Sequence, residues 1–511
     1  MTPESVSKEI PDGATLAVSG GGYRVVPETL IEAVAARFAD SGAPTNLTVI
    51  AIAMVERARA GRGGAASGLN ALARKGLMGR VITSSFSRAS SNELNQLIES
   101  DQTAAYNIPM GTLVQLLRAT AAGRRGLATP VGIDTFVDPR LGGGRVNTSA
   151  REDICEVVTL GGQEQLWYPR LPVDVALIRA SAADERGNLY FDTSAFDHGT
   201  IELAMAAHNS GGKVFAEVGR IVPVGEVHPR MGRIPGPLVD GIVVNPEVWE
   251  DAEAPHLTGA ARPELDPPAP RNLPRDLIAR LAVARMPEGA MVNLGAGLPM
   301  YDVPEAARAM KRDDIYFTVE QGPMGGWPQV GGVSRHPELI LDQNEVFQFY
   351  EGGGPDYTIL SFGEVDRHGN INVSRLGGML PGCGGFINIC HGIRNLVFCG
   401  TLTTGGLDET VAADGVSIAT EGRITKFVEQ VQQITFNAGA WTARGKTATI
   451  VTDRGIFGLT PDGLTLEEVV PGIDVQRDIL DRIPFPVAVR DDLKTVNPGL
   501  LVSAAESKGT A

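Results

Sequence analysis

Two duplicated open α/β/α domains are what this sequence predicts. Three observations carry that expectation: an internal repeat, a strand–turn–helix opening to each copy, and a proline-rich stretch between the copies. IPDGATLAVSGGG at Ile10–Gly22 returns as MPEGAMVNLGAGL at Met286–Leu298, and Pro27-Glu28 returns as Pro304-Glu305. PVDVALIRASAADERGN, ending at Asn188, matches PDYTILSFGEVDRHGN, ending at Asn370, once one residue is allowed for. Asp174, Asp184, Gly187 and Asn188 map onto Asp356, Asp366, Gly369 and Asn370 at a constant offset of 182, and VFA at Val214 matches VFC at Val397 at 183. The first matched pair stands 276 apart, so the first copy carries about 90 extra residues between its matched segments. Seven prolines from Pro246 to Pro274 exclude a core strand or a long helix there. The expected division is 1–245, a linker at 246–274, a second domain at 275–496 and a flexible tail at 497–511.

The elements follow in order. Thr15–Ser19 reads as a strand, Gly20-Gly21-Gly22 as a tight turn able to approach a ligand, and Pro27 as the first helical position. Leu30, Ile31, Val34 and Phe38 recur at helical spacing, Gly42 stops the helix, and Leu47–Ala53 is the next strand. The glycines are not a dinucleotide fingerprint, because GxGxxG needs glycine where Val25 stands. Arg57, Arg59, Arg62, Arg74, Lys75 and Arg80, against the single acid Glu56, form a basic island. It reads as a solvated face or subunit contact rather than a phosphate site. YNIPMG, from Tyr106, is a turn leading into a helix that ends at Gly123; Leu171–Asp192 is a strand, a turn at Asp184–Asn188 and a second strand.

Composition bounds the function. The 511 residues carry a net charge of −15, with 43% hydrophobic and 21% charged residues, so several sizeable cores are expected. An acidic chain of this kind is not built for nucleic acid or an anionic membrane surface. No secretory signal and no bilayer-length apolar run are read in it. The cysteines, Cys155, Cys383, Cys390 and Cys399, are too few and too unevenly placed for a disulfide framework, and a cytoplasmic setting is expected.

The chemistry concentrates in IYFTVEQGPMGGWPQVGGV, Ile315–Val333. Ile315–Val319 has the composition of a short buried strand, and Glu320 follows at once. A carboxylate at the carboxyl end of a core strand stands where open α/β sheets hold ligands. Gly322, Gly325, Gly326, Gly331 and Gly332 clear side chains from the loop behind it. The same pattern also reads as an ordinary surface Glu before a wide turn. LGGMLPGCGGFINI, Leu376–Ile389, offers the amides of Gly384 and Gly385 as oxyanion donors at the head of an apolar strand, or else a plain tight turn. There is no GxSxG elbow, no P-loop and no HExxH pair, and the Cys383–Cys399 cluster with His391 fits no common zinc spacing.

TVEQGPMGGWPQVGG resembles the glutamate loop, E-x-G-x-x-G-G-x-P-x-x-G, of family I CoA-transferases of the single-chain propionate and acetate type. EGGGPDYTILSFGEVDRHGNINVSR, GCGGFINI, VFCGTLTTGGL, YNIPMG and GIDTFVDPR are similar to other segments of those enzymes, so the likeness runs from about Ile10 to Val489. It implies the CoA-transferase (NagB/RpiA-like) fold in each half with the site in the cleft between them. It implies Glu320 as the catalytic nucleophile, Gly384 and Gly385 near the thioester oxygen, and Asn370 or Asn372 of GNIN as a polar site residue. Met110, Gly111, Gly21 and Gly22 are the substrate-pocket candidates, and Gly322, Gly405 and Gly406 the CoA-binding ones. Two departures touch the acyl pocket: Met110 replaces a common Gln, and the loop after Gly332, VSRHPELILDQ, is short and lacks Phe-Gly.

The implied activity is acyl-CoA:carboxylate CoA transfer among short-chain or related acids, by a ping-pong route through a glutamyl-CoA thioester. Coenzyme A is a substrate; no tightly bound cofactor or metal is expected, and a homo-oligomer (dimer or tetramer) is. The alternative on the same fold is an acyl-CoA hydrolase or lyase using Glu320 as general base. A third reading, a CoA-sensing protein without catalysis, gives Glu320 no purpose.

Overall fold

The computed structural model describes residues 1–22, 24–55, 68–86, 92–247, 274–329 and 331–501. Arg57, Arg59 and Arg62 of the basic island, and most of the expected linker, lie outside the described residues. The chain forms two compact units. Unit 1 comprises Met1–Gly259 together with Ile340–Gln348 and Gly377–Asn388, and unit 2 comprises Ala260–Leu339, Phe349–Leu376 and Ile389–Ala511. Two short pieces from the second half of the sequence therefore count with the first unit, which no composition shift announces.

Unit 1 is built on a nine-stranded, largely parallel sheet. Its opening is β1 (Thr15–Val18), α1 (Glu28–Ser41) and β2 (Leu47–Ala51). Gly42, at φ 75°, ends α1 in the left-handed conformation that glycine adopts without strain. β3 (Met78–Thr83), β4 (Ala104–Asn107) and α2 (Met110–Ala121) follow. Then come β5 (Val175–Asp184), β6 (Leu189–Tyr190), α3 (Thr200–Asn209) and β7 (Lys213–Val222). β2, β3 and β4 add on one side of β1, and β5 and β7 on the other. The strand order thus reverses between β1 and β5, and a crevice opens at such a reversal beyond the carboxyl ends of the strands.

Unit 2 repeats the plan. β8 (Met291–Leu294), α4 (Leu298–Ala309) and β9 (Tyr316–Thr318) correspond to β1, α1 and β2. β10 (Tyr357–Ser361), β11 (Asn395–Cys399) and β12 (Ala448–Val451) extend the sheet on the far side of β8. Leu16 pairs with Val49 and Val175, as Val292 pairs with Phe317 and Tyr357. Asp174 accepts the Thr15 amide at 2.8 Å, and Asp356 accepts the Met291 amide at 2.9 Å.

The register corrects one sequence match. β5 pairs Val175 with Lys213, and β10 pairs Tyr357 with Asn395, so the offset stays at 182 and Phe215, not Val214, corresponds to Val397. Packing agrees: Phe215 joins Leu16 and Leu177 in one core, and Val397 joins Val292 and Ile359 in the other. Strands buried on both faces lack the alternation that would reveal a one-residue slip. Likewise FINI is not a strand: Phe386–Gly392 is a helix. A short apolar run does not separate the two by periodicity. Among the described residues no helix is long and apolar enough to cross a membrane.

Candidate active site

In unit 2 the candidate nucleophile is set by a hairpin rather than an open loop. Immediately after β9, Val319 and Pro323 close a turn: the Gly322 amide donates to the Val319 carbonyl at 3.0 Å, and the Val319 amide to the Pro323 carbonyl at 3.0 Å. Pro323–Met324 returns antiparallel on β9, pairing Thr318 with Met324. Glu320 stands at the tip of that turn, half-buried. The Gln321 amide donates to Glu320 Oε1 at 3.1 Å, which restricts the carboxylate's rotation. Gly332 lies at φ 77°, and a Cβ there would come within 2.5 Å of the Gln321 side chain. The glycine thus makes room for the residue that holds the glutamate. Beneath the turn, the buried Tyr350 hydroxyl donates to Thr318 Oγ1 at 2.8 Å. Burial and then the Glu320 charge push the Tyr350 phenol above its ordinary range, so it stays a neutral donor.

The two asparagine candidates have structural work. Asp366 accepts the amides of His368 and Asn370, each at 3.0 Å, and Asn370 Nδ2 at 3.1 Å, while Asn370 Oδ1 accepts the Ala438 amide at 2.9 Å. Asp184 and Asn188 make the same turn in unit 1, with Nδ2 donating at 2.8 Å and Oδ1 accepting the Gly236 amide at 2.9 Å. Asn372 is fully buried, donates to Glu364 and the Arg375 carbonyl, and accepts the Ser374 amide. Both side chains are thus committed to their surroundings, Asn370 to the Asp366 carboxylate and the Ala438 amide, Asn372 to Glu364, the Arg375 carbonyl and the Ser374 amide. Gly405 and Gly406 lead out of the short strand Thr403–Thr404, at φ 79° and 97°. The Gly405 carbonyl accepts the Arg423 guanidinium at 3.0 Å.

Unit 1 gathers the other candidates. β4 ends at Asn107, whose Nδ2 donates to the Thr83 and Ser84 carbonyls at 2.9 and 2.7 Å and whose Oδ1 accepts the Cys383 amide at 2.9 Å. Met110, the first residue of α2, donates its amide to the Gly384 carbonyl at 2.8 Å, and Gly111 donates to Asn388 Oδ1 at 3.0 Å. These bonds hold the Gly384 loop against α2. The Gly384 amide itself donates to the Ser84 carbonyl at 2.8 Å, so it is no open oxyanion donor. The Gly385 amide has no acceptor among the described residues, and of the pair it alone keeps that capacity.

Sequence reasoning missed His198 and Gln343. His198 is buried at φ 53°, and its ring lies so close to Gly21 that a Cβ there would meet it at 2.2 Å. Burial lowers its pKa to about 4 and keeps it neutral. Gln343, fully buried, donates to Met110 Sδ at 3.1 Å and lies 3.4 Å from His198 Nε2. Arg233 pairs with Asp197 at 3.2 Å and with Asp342, the neighbours of His198 and Gln343 in sequence. Burial and then the Asp342 charge raise Asp197 to about 6. No local motif marks these residues, because topology alone brings them beside Gly21 and Met110.

A family model described as coenzyme A transferase matches residues 1–245. The acetate CoA-transferase YdiF of Escherichia coli O157:H7 is 37% identical over 99% of this chain and 95% of its own. The chain belongs to the coenzyme A transferase family. The caffeate CoA-transferase of Acetobacterium woodii is 35% identical over 98% of this chain and 97% of its own length. The crystal structure of YdiF apoenzyme superposes with a TM-score of 0.91 at 36% identity, covering 99% of this chain and 96% of that one. A YdiF structure described as a thioester complex with CoA gives 0.90 at 36% identity, with coverage of 99% and 96%. This transferase therefore shares with YdiF the fold of the whole chain, beyond the segment the family model covers.

Proposed function

We propose that Glu320 is the covalent nucleophile with which this transferase moves coenzyme A between carboxylic acids. The observation that carries the reading is a half-buried carboxylate at the end of a core strand, fixed by a four-residue turn and held by the Gln321 amide. Such a group is aimed without further ordering. Its carboxylate attacks the acyl-CoA carbonyl, expelling the CoA thiolate and leaving an acyl-glutamyl anhydride. The thiolate then attacks the glutamyl carbonyl; the first acid leaves as its carboxylate and CoA stays on Glu320 as a thioester. An incoming carboxylate reverses both steps. The thioester complex of YdiF supports an enzyme-bound CoA intermediate in a relative.

Within this reading Met110, Gly111, Gly21 and Gly22 line the acyl pocket, Gly385 donates to a developing oxyanion, and Gly322, Gly405 and Gly406 contact CoA. The acids are short-chain or related ones, as the acetate and caffeate enzymes suggest. A cytoplasmic homo-oligomer working without a bound cofactor, with catalytic domains at 1–245 and 275–496, completes the proposal. Product analysis tests it: acetyl-CoA plus a second acid should give that acid's CoA thioester. Release of free CoA with no new thioester would instead show a hydrolase.

A further inference from the structure

The sheet of unit 2 has its own reversal of strand order. β9 pairs parallel with one side of β8, and β10 and then β11 follow on the other, so ligands are held beyond the carboxyl ends of β8 and β10. Glu320 stands past β9, on one side of that reversal. On the other side Phe362 comes directly after β10 and Gly400 directly after β11, and both meet Lys426. The Lys426 ammonium lies 5.2 Å from the centre of the Phe362 ring, and a Cβ at Gly400 would fall 3.1 Å from Nζ. The bare glycine thus gives the ammonium its place. The backbone beneath it is fixed, because the Lys426 amide donates to the Leu402 carbonyl at 3.2 Å and its carbonyl accepts the Val365 amide at 2.8 Å. The charge, by contrast, is unanswered. Among the described residues the half-buried ammonium has an aromatic face beside it but no carboxylate and no hydrogen-bond acceptor. Asp453, whose charge it feels, is already committed to the Leu402 amide at 2.6 Å and the Arg454 guanidinium at 3.3 Å. Arg275 repels it and is itself paired with Asp302 at 2.8 Å. Burial accordingly lowers the pKa of Lys426. The hairpin that carries it lies at the surface, where Ile424 is 58% exposed.

We infer that Lys426 is a CoA-binding residue whose ammonium pairs with the diphosphate of coenzyme A, and that Gly400 makes room for it. A charge withdrawn from water and left without a counter-ion is costly, so its retention calls for an anion from outside the chain. Position decides which anion. Phe362 and Gly400 stand two and three strands along the sheet from β9, about 10–14 Å at ordinary strand spacing. That is too far for a carboxylate reacting at Glu320, but the pantetheine arm covers a distance of that order between its sulfur and its diphosphate. Thr403–Thr404 pairs with Ile424–Thr425, so the chain leading to Gly405 and Gly406 runs beside Lys426. The inference rests on the reading that Glu320 receives CoA. Binding energy from such a remote group serves to orient the thioester at the reacting centre.

The test compares kcat/KM for one competent acyl group carried on CoA, on dephospho-CoA, which keeps the diphosphate, and on pantetheine, which has no phosphate. Wild type should favour both nucleotide carriers over pantetheine, and Lys426→Met should reduce each preference about tenfold or more. Lys426→Arg, which keeps the charge, should recover most of it. Gly400→Ala leaves the charge in place but crowds it, and should shift the preferences the same way by less. A merely structural defect would slow all three carriers alike, so equal losses in a folded Lys426→Met protein would overturn the inference. A loss confined to CoA would overturn it too, by moving the contact to the 3′-phosphate. Should Lys426→Met not fold, the preferences of Gly400→Ala still decide the matter. Absence of transfer to any acid by wild type would sink the transferase reading itself, which is a separate outcome.

Discussion

Unit 1 and unit 2 carry the same strand–helix–strand opening, yet one matched position just past the second strand differs in kind. Register places Ile52 where Glu320 stands, since Val49 corresponds to Phe317. Ile52 is buried and its carbonyl accepts the Ser84 hydroxyl at 2.5 Å. Glu320 is half-buried at the tip of a hairpin and carries the Gln321 amide. The frame is therefore neutral toward chemistry. What makes unit 2's version a candidate nucleophile is the turn that lifts position 320 out of the core, together with the glycine that lets Gln321 reach it.

Exchanging the two positions is the strongest way to probe this difference. Glu320→Gln should lower transfer by about 10⁴-fold or more while shifting stability by less than about 1 kcal/mol, because the site is part-exposed. Ile52→Glu should do the reverse and cost about 3–5 kcal/mol, since an unpaired carboxylate would be buried there. Steady-state rates and denaturant midpoints check both. Near-equal effects on activity and stability in the two variants would break the contrast.

The turns shared by both units should behave alike. Asn188→Ala and Asn370→Ala each remove bonds on both faces of the amide, and each should cost about 1–3 kcal/mol by denaturant unfolding. Transfer by the Asn370 variant, measured well below its unfolding midpoint, should fall no more than that of the Asn188 variant. A selective collapse at Asn370 would instead support its part as a polar residue of the site.

The smallest effect is expected at the glycine behind Gln321. Gly332→Ala should strain the backbone by about 1 kcal/mol and displace Gln321, reducing transfer about tenfold. Gly42→Ala in unit 1 also meets a positive φ, 75°, but nothing lies within 4 Å of the added carbon. It should therefore cost stability without a specific clash, and comparing rates in the two variants isolates the role of the Gln321 amide.

The sequence made the duplication legible because turns obey local chemistry. Asp184-x-x-Gly187-Asn188 and Asp366-x-x-Gly369-Asn370 keep the side chains that cap the turn and the glycines at φ 81°. Glu320 was legible for the same reason, as a charge placed directly after a core strand. Register within the double-sided sheet was not, because Val214–Ala216 and Leu396–Cys399 are apolar on both faces. Nor was the commitment of the Gly384 amide to Ser84, or the meeting of His198, Gln343 and Met110, since both depend on contacts between residues far apart in sequence. Local patterns specify turns and strand ends; a site assembled by topology becomes visible only in three dimensions.

The measurement that bears most directly on the account is covalent trapping. Incubated with a competent acyl-CoA and no acceptor, the enzyme should gain one CoA per active chain as a thioester, and peptide mapping should place it on Glu320. Adding a carboxylate should discharge the label as a new acyl-CoA, and Glu320→Ala should take up none. A label on any other residue, or turnover of acyl-CoA donors to acceptor acids with no thioester trapped, would contradict the assignment of Glu320 as the nucleophile.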